Sequence, residues 1–280
     1  MFIIKIFCPF SESKICKEIY EKINYANENP FYGKIKKIYI TDEDEYTHAI
    51  IINTIMPELK IPKENVIGLA FEPIQFLGLT QEFINYAIKH IGKYFIGDKF
   101  DLPKPFIEHF GYMWHSRPPA EIIVKPNLMS IVVSKKKSAP GHIYRHKLVE
   151  KIIELGLPID IYGHGSEMYS YNNRIKGSFN DVEPYEKYEF SICIENYVSN
   201  HYFSEKIITP VLYNCNPIYL GCRNIESYLN NVIKLSGEIN KDILLINDII
   251  SNKTKYYKKT YNPQNINNVN LIQNIEEIFS

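Results

Sequence analysis

The sequence predicts an α/β protein built from two Rossmann-like domains. Short apolar runs, such as 190–194, alternate along the 280 residues with segments of helical periodicity. This alternation is typical of parallel sheets whose strands are joined by helical crossovers. A proline-rich stretch at 116–128 interrupts the pattern, which resumes with a strand at 129–134. We therefore predict two domains, at 1–125 and 126–280.

The composition is that of a soluble globular chain without a bulk charge that selects a partner. Hydrophobic residues make up 45% and charged residues 23% of the sequence, and 32 Lys and Arg balance 32 Asp and Glu. Zero net charge argues against general attraction to nucleic acid or an anionic membrane. The apolar start at 2–7 is too short for a signal peptide or membrane helix, and the five cysteines form no Cys-x-x-Cys pair. We therefore expect no nucleic-acid partner, no membrane segment and a cytoplasmic location with reduced thiols.

The first domain contains one candidate for catalysis, at the end of a predicted strand. The predicted strands are 2–7, 34–40, 49–52 and 66–71, and the predicted helices are 11–23 and 80–91. Glu72 directly follows the last of these strands, and Pro73 biases it away from helix. Polar residues at the carboxyl ends of parallel strands face the crevice where ligands bind. Glu72 is therefore either a ligand-facing acid or an ordinary loop acid.

The second domain opens with a strand at 129–134 and a helix from about 140 to 155, joined by a basic turn. Three lysines, 135–137, occupy this turn. A nucleotide diphosphate lies at such a turn in Rossmann-like domains, although lysine runs are also typical of solvated loops. The next strand, 158–162, leads into a Gly-His-Gly sequence at 163–165. These glycines indicate either a tight turn or a close approach of the backbone to a nucleotide.

The stretch 188–222 carries the densest set of candidate ligand-binding residues. A short apolar strand ends at the polar pair 195–196. Ser204 is a good N-cap residue, with Glu205 and Lys206 in the first turn of the helix that follows. A helix start suits a phosphate because it offers free N–H groups and the positive end of the dipole, and Lys206 adds a full charge. Taken alone, the pattern also fits an ordinary helix with a first-turn acid and a solvated lysine.

The order and spacing of these residues closely resemble the C-terminal signature of the α-1,3-fucosyltransferases, glycosyltransferase family 10. That signature is an aromatic-rich strand ending in Glu-Asn, then Tyr-x-(Thr/Ser)-Glu-Lys, a helix and a Pro-(Ile/Val)-x-x-Gly strand. The corresponding residues here are Glu195, Asn196, Tyr202, Ser204, Glu205, Lys206 and 217–221. The resemblance extends more weakly over residues 45–235. It implies a GT-B-type α/β fold, in which two Rossmann-like domains face each other across a cleft.

The resemblance also implies an inverting transfer of fucose from GDP-fucose to a hydroxyl of a glycan acceptor. Glu72 matches the family's catalytic base in an N-terminal acceptor-binding domain. Glu205 would face the sugar and either accept hydrogen bonds from its hydroxyls or favour its developing positive charge. The residues that would bind the donor are Glu195, Asn196, Tyr202, Ser204, Lys206 and Arg145. Arg145 is preferred for the diphosphate because of its permanent charge and bidentate fork, but His142 lies nearer the family's offset, and both remain candidates.

The sequence also bears on metal use and leaves three alternative functions. The acidic run at 42–45 could mimic a metal-binding motif, but charge runs are typical of solvated loops. Because cationic side chains would stabilise the diphosphate in place of a metal, we expect no obligatory metal and no cofactor. The first alternative is an enzyme of the same fold with another nucleotide sugar, and the second is a catalytically silent glycan-binding module. A dinucleotide oxidoreductase is disfavoured because no Gly-x-Gly-x-x-Gly follows the first strand.

Overall fold

The protein is represented by a computed structural model that describes most of the chain in two compact units. The described residues are 1–109, 124–170, 172–180, 182–230, 232–257 and 269–280. Within them, the first unit comprises 1–109, Ser199–Tyr202 and 269–280, and the second comprises 124–198 and 203–257. The predicted boundary at 125/126 adjoins undescribed residues and stays a prediction. The predicted proline-rich connection at 116–128 lies outside the described residues as far as residue 123.

The first unit is a six-stranded parallel sheet packed with helices. Its strands are β1 (Phe2–Phe7), β2 (Ile38–Thr41), β3 (His48–Ile52), β4 (Val66–Leu69), β5 (Lys93–Ile96) and β6 (Phe106–Glu108). Its first three helices are α1 (Ser13–Ile23), α2 (Ile74–Leu77) and α3 (Gln81–His90). The strand order is β2-β1-β3-β4-β5-β6, with parallel pairing between neighbours. The predicted strand at 34–40 begins later than expected, at Ile38, because 34–37 form a turn instead.

The second unit has the same architecture. Its strands are β7 (Asn127–Val132), β8 (Ile159–Tyr162), β9 (Ile175–Gly177), β10 (Tyr188–Ile194), β11 (Asn216–Leu220) and β12 (Ile233–Lys234). Its helices are α4 (Pro140–Glu154), α5 (Glu183–Glu186), α6 (Glu205–Leu212), α7 (Ile239–Ser251) and α8 (Lys253–Tyr256). The strand order is β12-β11-β10-β7-β8-β9, again with parallel pairing. The predicted α/β class with two Rossmann-like domains is confirmed.

The apolar character of the central strands follows from burial on both faces of the second sheet. Along β10 the side chains are buried at every position except Glu189. Ile131 of β7, Phe190 of β10 and Val149 of α4 belong to one core cluster, and each is completely shielded from solvent. Parallel sheets covered by helices on both faces require such continuous apolar strands. This core fixes the positions of the polar residues that follow each strand.

The order of strands places a ligand crevice in the second unit. The chain leaves β7 for β8 and β9 on one side, then returns to β10 and continues to β11 and β12 on the other. The connections therefore diverge between β7 and β10, and open α/β sheets bind ligands outside the carboxyl ends of strands at such a point. The loop before α4 and the residues after β10 lie at this position.

The C-terminal tail packs on the first unit through its last helix, α9 (Ile275–Phe279). The ring of Phe279 lies 5.9 Å from that of Phe2 and 4.8 Å from that of His48, and Ile275 and Ile278 are buried. The predicted domain 126–280 therefore does not describe this tail, because its apolar side chains are buried against the first sheet.

Two other predictions concern charge and membrane association. In the acidic run at 42–45, Asp42, Glu43 and Asp44 each form an ion pair with a lysine of the same unit, and Asp44 is fully exposed. The run behaves as the solvated loop that was predicted.

Among the described residues, none of the helices combines the length and apolar character needed to cross a membrane.

Candidate functional site

A cavity of about 720 Å³ opens at the carboxyl edge of the second sheet. Its walls come from the start of α4, the ends of β10 and β11, and the segment that follows β12. The lining includes Gly141, Tyr144, Lys147, Glu195, Gly221, Arg223, Lys234, Leu235, Ser236 and Gly237. This volume lies within the range of small-molecule and cofactor sites. Its position coincides with the crevice that the strand order indicates.

Helix α4 begins directly against the end of β10, and Gly141 permits this contact. The Gly141 N–H donates to the carbonyl oxygen of Asn196 at 2.9 Å. A Cβ atom at position 141 would lie 1.8 Å from the Glu195 carbonyl oxygen, so no larger residue fits without moving the backbone. The close packing brings the N-terminus of α4 to the cavity, where its positive dipole end favours an anion.

Glu195 is a buried carboxylate that joins the end of β10 to the start of α6. Its Oε1 accepts the Ser204 N–H at 2.8 Å, and its Oε2 accepts the Ser204 hydroxyl at 2.7 Å. The Nζ of Lys206 lies 3.7 Å from Oε2. Burial raises the pKa of Glu195, and the charge of Glu205 adds to this effect, while Lys206 and the bonds from Ser204 oppose it. Glu195 therefore orients Ser204 and Lys206, with its carboxylate engaged inside the protein.

The start of α6 presents a cation beside an exposed carboxylate. As predicted, Ser204 is the N-cap of α6, and its hydroxyl oxygen accepts the Lys206 N–H at 3.3 Å. The Lys206 Nζ donates to the Ser204 hydroxyl oxygen at 3.1 Å and to Glu205 Oε1 at 2.9 Å. The Glu205 side chain is 59% exposed and that of Lys206 is 26% exposed. Burial lowers the pKa of Lys206, but Glu195 and Glu205 outweigh it and raise the pKa above its usual value, so Lys206 stays charged.

Arg145 and His142, the two candidates for the diphosphate, both lie buried on α4. His142 Nδ1 accepts the Ala139 N–H at 3.2 Å, and burial together with the charge of Arg145 lowers the pKa of His142. The imidazole is therefore neutral near pH 7. The Arg145 guanidinium donates to the carbonyl oxygen of Ile194. Burial lowers the pKa of Arg145, and the carboxylate of Glu195 opposes this most strongly.

The basic turn and the glycine turn after β8 pack against each other. The Nζ of Lys135 forms an ion pair with Glu167 at 2.8 Å. Gly163 has a φ of +96°, and an added Cβ there would lie 2.4 Å from the Val133 carbonyl oxygen. An added Cβ at Gly165 would lie 2.4 Å from the Ser134 carbonyl oxygen. The glycines therefore allow two backbone segments of the same unit to approach closely.

The sequence of this unit matches a known family. The model of "Glycosyltransferase family 10 (fucosyltransferase) C-term" covers residues 122–236. This range includes Glu195, Ser204, Glu205 and Lys206, which together form the Glu195–Lys206 cluster. The resemblance to the fucosyltransferases of glycosyltransferase family 10, inferred from the stretch 188–222, is thus confirmed.

Solved structures extend the similarity of fold to the whole chain. A crystal structure of alpha1,3-fucosyltransferase with GDP is 13% identical to this chain, with a TM-score of 0.58, and the match covers 99% of this chain and 90% of that one. A structure of alpha1,3-fucosyltransferase with GDP-fucose has the same identity and TM-score and covers 100% and 90%. No curated protein sequence matches the chain. These similarities support the predicted GT-B-type fold class.

The second unit contains most of the predicted site residues, and the first unit contains the others. Glu195, Ser204, Glu205 and Lys206 form one cluster, with Arg145 on the adjacent helix; half-buried Asn196 follows Glu195 and lies beside His142. Tyr202 is buried in the first unit near Gly97.

Glu72 lies in the first unit, after the carboxyl end of β4. It is followed by Pro73, the N-cap residue of α2. The Asn53 side chain accepts the Phe71 N–H at 2.9 Å, which fixes the backbone just before Glu72. Glu72 is therefore located at the carboxyl edge of the first sheet, where the strand prediction places it.

The sequence analysis did not predict one wall of the cavity at the carboxyl edge of the second sheet. This wall includes Tyr144 of α4 and residues 234–237, and it is fixed by Asp242 of α7. The available signal was the Ser-Gly-Glu turn at 236–238, followed by an acid in the first turn of a helix.

Among the described residues, no group of three or more His, Cys, Asp or Glu side chains is arranged to hold a metal ion. The expected metal independence stays a prediction.

Proposed function

We propose that this protein transfers fucose from GDP-fucose to a hydroxyl of a glycan acceptor, with inversion at the sugar and without an obligatory metal. The observation that carries the proposal is the family 10 match over residues 122–236, which contains both the Glu195–Lys206 cluster and most of the cavity lining. Proteins of similar fold have been crystallised with GDP and with GDP-fucose. The cavity has room for a nucleoside diphosphate sugar.

On the donor side, the proposal gives each part of the cavity a separate task. The apolar and aromatic walls, including Tyr144 and Leu235, take the nucleoside. The diphosphate lies toward the starts of α4 and α6, where the helix dipoles and Lys206 stabilise negative charge. A diphosphate that reaches Lys206 competes with Glu205 for its ammonium group. Glu205 is then released toward the sugar, where a carboxylate stabilises the positive charge of an oxocarbenium-like transition state.

On the acceptor side, Glu72 removes the proton of the attacking hydroxyl. The hydroxyl oxygen forms a bond with the anomeric carbon while the bond between that carbon and the diphosphate oxygen breaks. The electron pair of the broken bond leaves with GDP, and the proton passes to the Glu72 carboxylate. A single displacement of this kind inverts the anomeric centre. The positive residues of the cavity then hold the charge that accumulates on GDP.

A ligand screen followed by a transfer assay tests the proposal. Thermal unfolding is measured with GDP, GDP-fucose, UDP and UDP-sugars, each with and without EDTA. A ligand at 100 times its dissociation constant stabilises the native state by about 2.7 kcal/mol. We expect GDP and GDP-fucose to raise the melting temperature most, with little effect of EDTA. Mass spectrometry of a glycan acceptor panel should then show the addition of one deoxyhexose.

Other outcomes identify the alternatives. Stabilisation by UDP-sugars alone would indicate an enzyme of the same fold with another donor. Binding of glycans without hydrolysis or transfer from any nucleotide sugar would indicate a silent glycan-binding module. Loss of GDP stabilisation in EDTA would contradict metal independence but leave the donor assignment in place.

A further inference from the structure

Asp242, in the first turn of α7, is a buried carboxylate with four hydrogen-bond donors around it. The residue is 1% exposed. Its Oδ1 accepts the N–H and the hydroxyl of Ser236, each at 2.7 Å. Its Oδ2 accepts the Gly237 N–H at 2.9 Å and also the Tyr144 hydroxyl. Both oxygens are thus used fully within the protein.

Every donor to this carboxylate belongs to a residue that lines the cavity. Tyr144 comes from α4, while Ser236 and Gly237 come from the segment between β12 and α7. Asp242 lies behind them and is not part of the lining itself. One side chain therefore connects two walls of the cavity that are far apart in the sequence.

The charge of Asp242 suits this arrangement better than a neutral amide. A carboxylate can accept all four bonds, whereas an asparagine has one acceptor oxygen and would turn an N–H₂ group toward two of the donors. A buried anion is costly unless it is hydrogen-bonded, and the start of α7 adds the favourable end of a helix dipole. The site is therefore built to hold an anion in a fixed orientation.

We propose that Asp242 is a positioning residue for nucleotide binding, a function that rests on the proposed donor. It holds the Tyr144 ring and the backbone of 236–237 in the shape that receives the nucleoside. Binding to a preorganised wall avoids the entropy that is lost when side chains and loops become ordered. The residue acts through its partners and does not touch the ligand. Its removal should therefore weaken donor binding and leave the chemical step nearly unchanged.

The test compares Asp242→Asn with Asp248→Asn, a matched change on the same helix. Asp248 bonds Lys255 and Asn252, away from the cavity lining. Calorimetry with GDP should show a dissociation constant raised about tenfold or more in Asp242→Asn and unchanged in Asp248→Asn. The KM for the donor should rise in parallel, while kcat at saturating donor stays within about threefold and the acceptor KM stays constant.

Hydrogen exchange supplies a readout that needs no ligand. The amides of Ser236 and Gly237 should lose protection in Asp242→Asn but not in Asp248→Asn. GDP affinity within twofold of the parent, measured well below the melting temperature, would overturn the proposal. A fall in kcat without a change in donor KM would overturn it as well.

A second variant guards against failure of Asp242→Asn to fold. The double change Tyr144→Phe and Ser236→Ala removes two of the four donors and keeps the carboxylate. We expect it to weaken GDP binding about threefold to tenfold. Unchanged affinity in this folded variant would also overturn the proposal. If the parent protein binds no GDP, the proposed donor fails instead, and protection of the two amides in the Asp242 variant still decides whether the wall depends on this residue.

Discussion

The carboxyl edges of the two parallel sheets each contain a switch in strand order but carry different chemistry. In both sheets the first strand of the unit lies inside, and the chain reverses its direction of travel beside it. The cavity at the first edge, of about 510 Å³, is lined by residues 7–13 and Ile55 and contains one acid, Glu12, among mostly apolar or uncharged side chains. The cavity at the second edge contains Lys147, Arg223, Lys234 and the buried Glu195. The fold supplies the edge, and the few residues after each strand decide what it can bind.

The second edge also shows how buried charges are stabilised by one another. Lys206 lies between the carboxylates of Glu195 and Glu205, and the Arg145 guanidinium is buried nearby. The two positive and two negative charges balance. A buried charge needs such partners, because its loss of hydration is otherwise too costly. The first edge has a simpler candidate, Glu72, whose proposed function is proton transfer rather than charge binding.

The Glu72→Gln substitution tests whether the first edge supplies proton transfer while the second edge binds charge. We expect it to have the largest effect. Glutamine keeps the size and hydrogen bonding of the side chain but cannot take the acceptor proton. The turnover number should fall by roughly 10²–10⁴-fold, the usual contribution of a positioned base. GDP affinity, measured by calorimetry, should remain within a few-fold of the parent, and the acidic limb of the pH–rate profile should disappear.

The control for this change is Glu64→Gln, which alters an exposed acid just before β4. It should leave turnover unchanged. Near-parental transfer by Glu72→Gln, with the acidic limb intact, would place the base elsewhere, with Glu195 and Glu205 as the next candidates.

The charge-binding function of the second edge is tested by Lys206→Ala. The diphosphate is charged in the ground state as well as in the transition state, so both binding and turnover should suffer. Loss of a charge-assisted hydrogen bond, worth about 1.5–3 kcal/mol, should raise the dissociation constant of GDP roughly 10- to 100-fold. Lys151→Ala, at a surface ion pair with Glu154 on α4, serves as the matched control. Equal GDP affinity in the two variants would remove Lys206 from the diphosphate site.

The assignment of the second diphosphate residue is sharpened by a pair of substitutions on α4. Arg145→Ala should weaken GDP binding about tenfold, and His142→Ala should weaken it much less, because the imidazole is neutral and already accepts the Ala139 N–H. Arg145→Lys, which keeps the charge and most of the volume, separates loss of charge from loss of packing. Normal affinity in Arg145→Ala together with loss in His142→Ala would reverse the assignment.

The smallest expected effect is the pH dependence of stability that comes from Glu195. Burial raises its pKa in the folded state above the usual value of 4.5. Between the two values, the native carboxyl keeps its proton while the unfolded one has lost it, so this group makes the native state less stable as pH rises through that window. Urea denaturation from pH 4 to pH 7.5 should show the stability of the parent relative to Glu195→Gln falling with pH and then levelling off. A relative stability that increases with pH would contradict the raised pKa.

The local part of this structure could be read from the sequence. The apolar run at 190–194 forms the core of β10, and the pattern around Ser204 identifies the N-cap and first turn of α6. Strand ends were less certain, since the strand predicted at 66–71 ends at Leu69. The cluster of Glu195, Ser204 and Lys206 could also be predicted from the sequence, because its members lie within twelve residues and meet at one helix start.

The sequence by itself thus determined the α/β class, the positions of the strands and helices around the site, and the resemblance of the second unit to glycosyltransferase family 10. These features depend on periodicity, capping and short-range order, which neighbouring residues specify. Tertiary structure alone decided that Arg145 is buried against the Ile194 carbonyl and that Asp242 bonds a tyrosine hydroxyl 98 positions away. A buried polar group must find its partners wherever the fold brings them, and no local pattern records which distant residues will satisfy it.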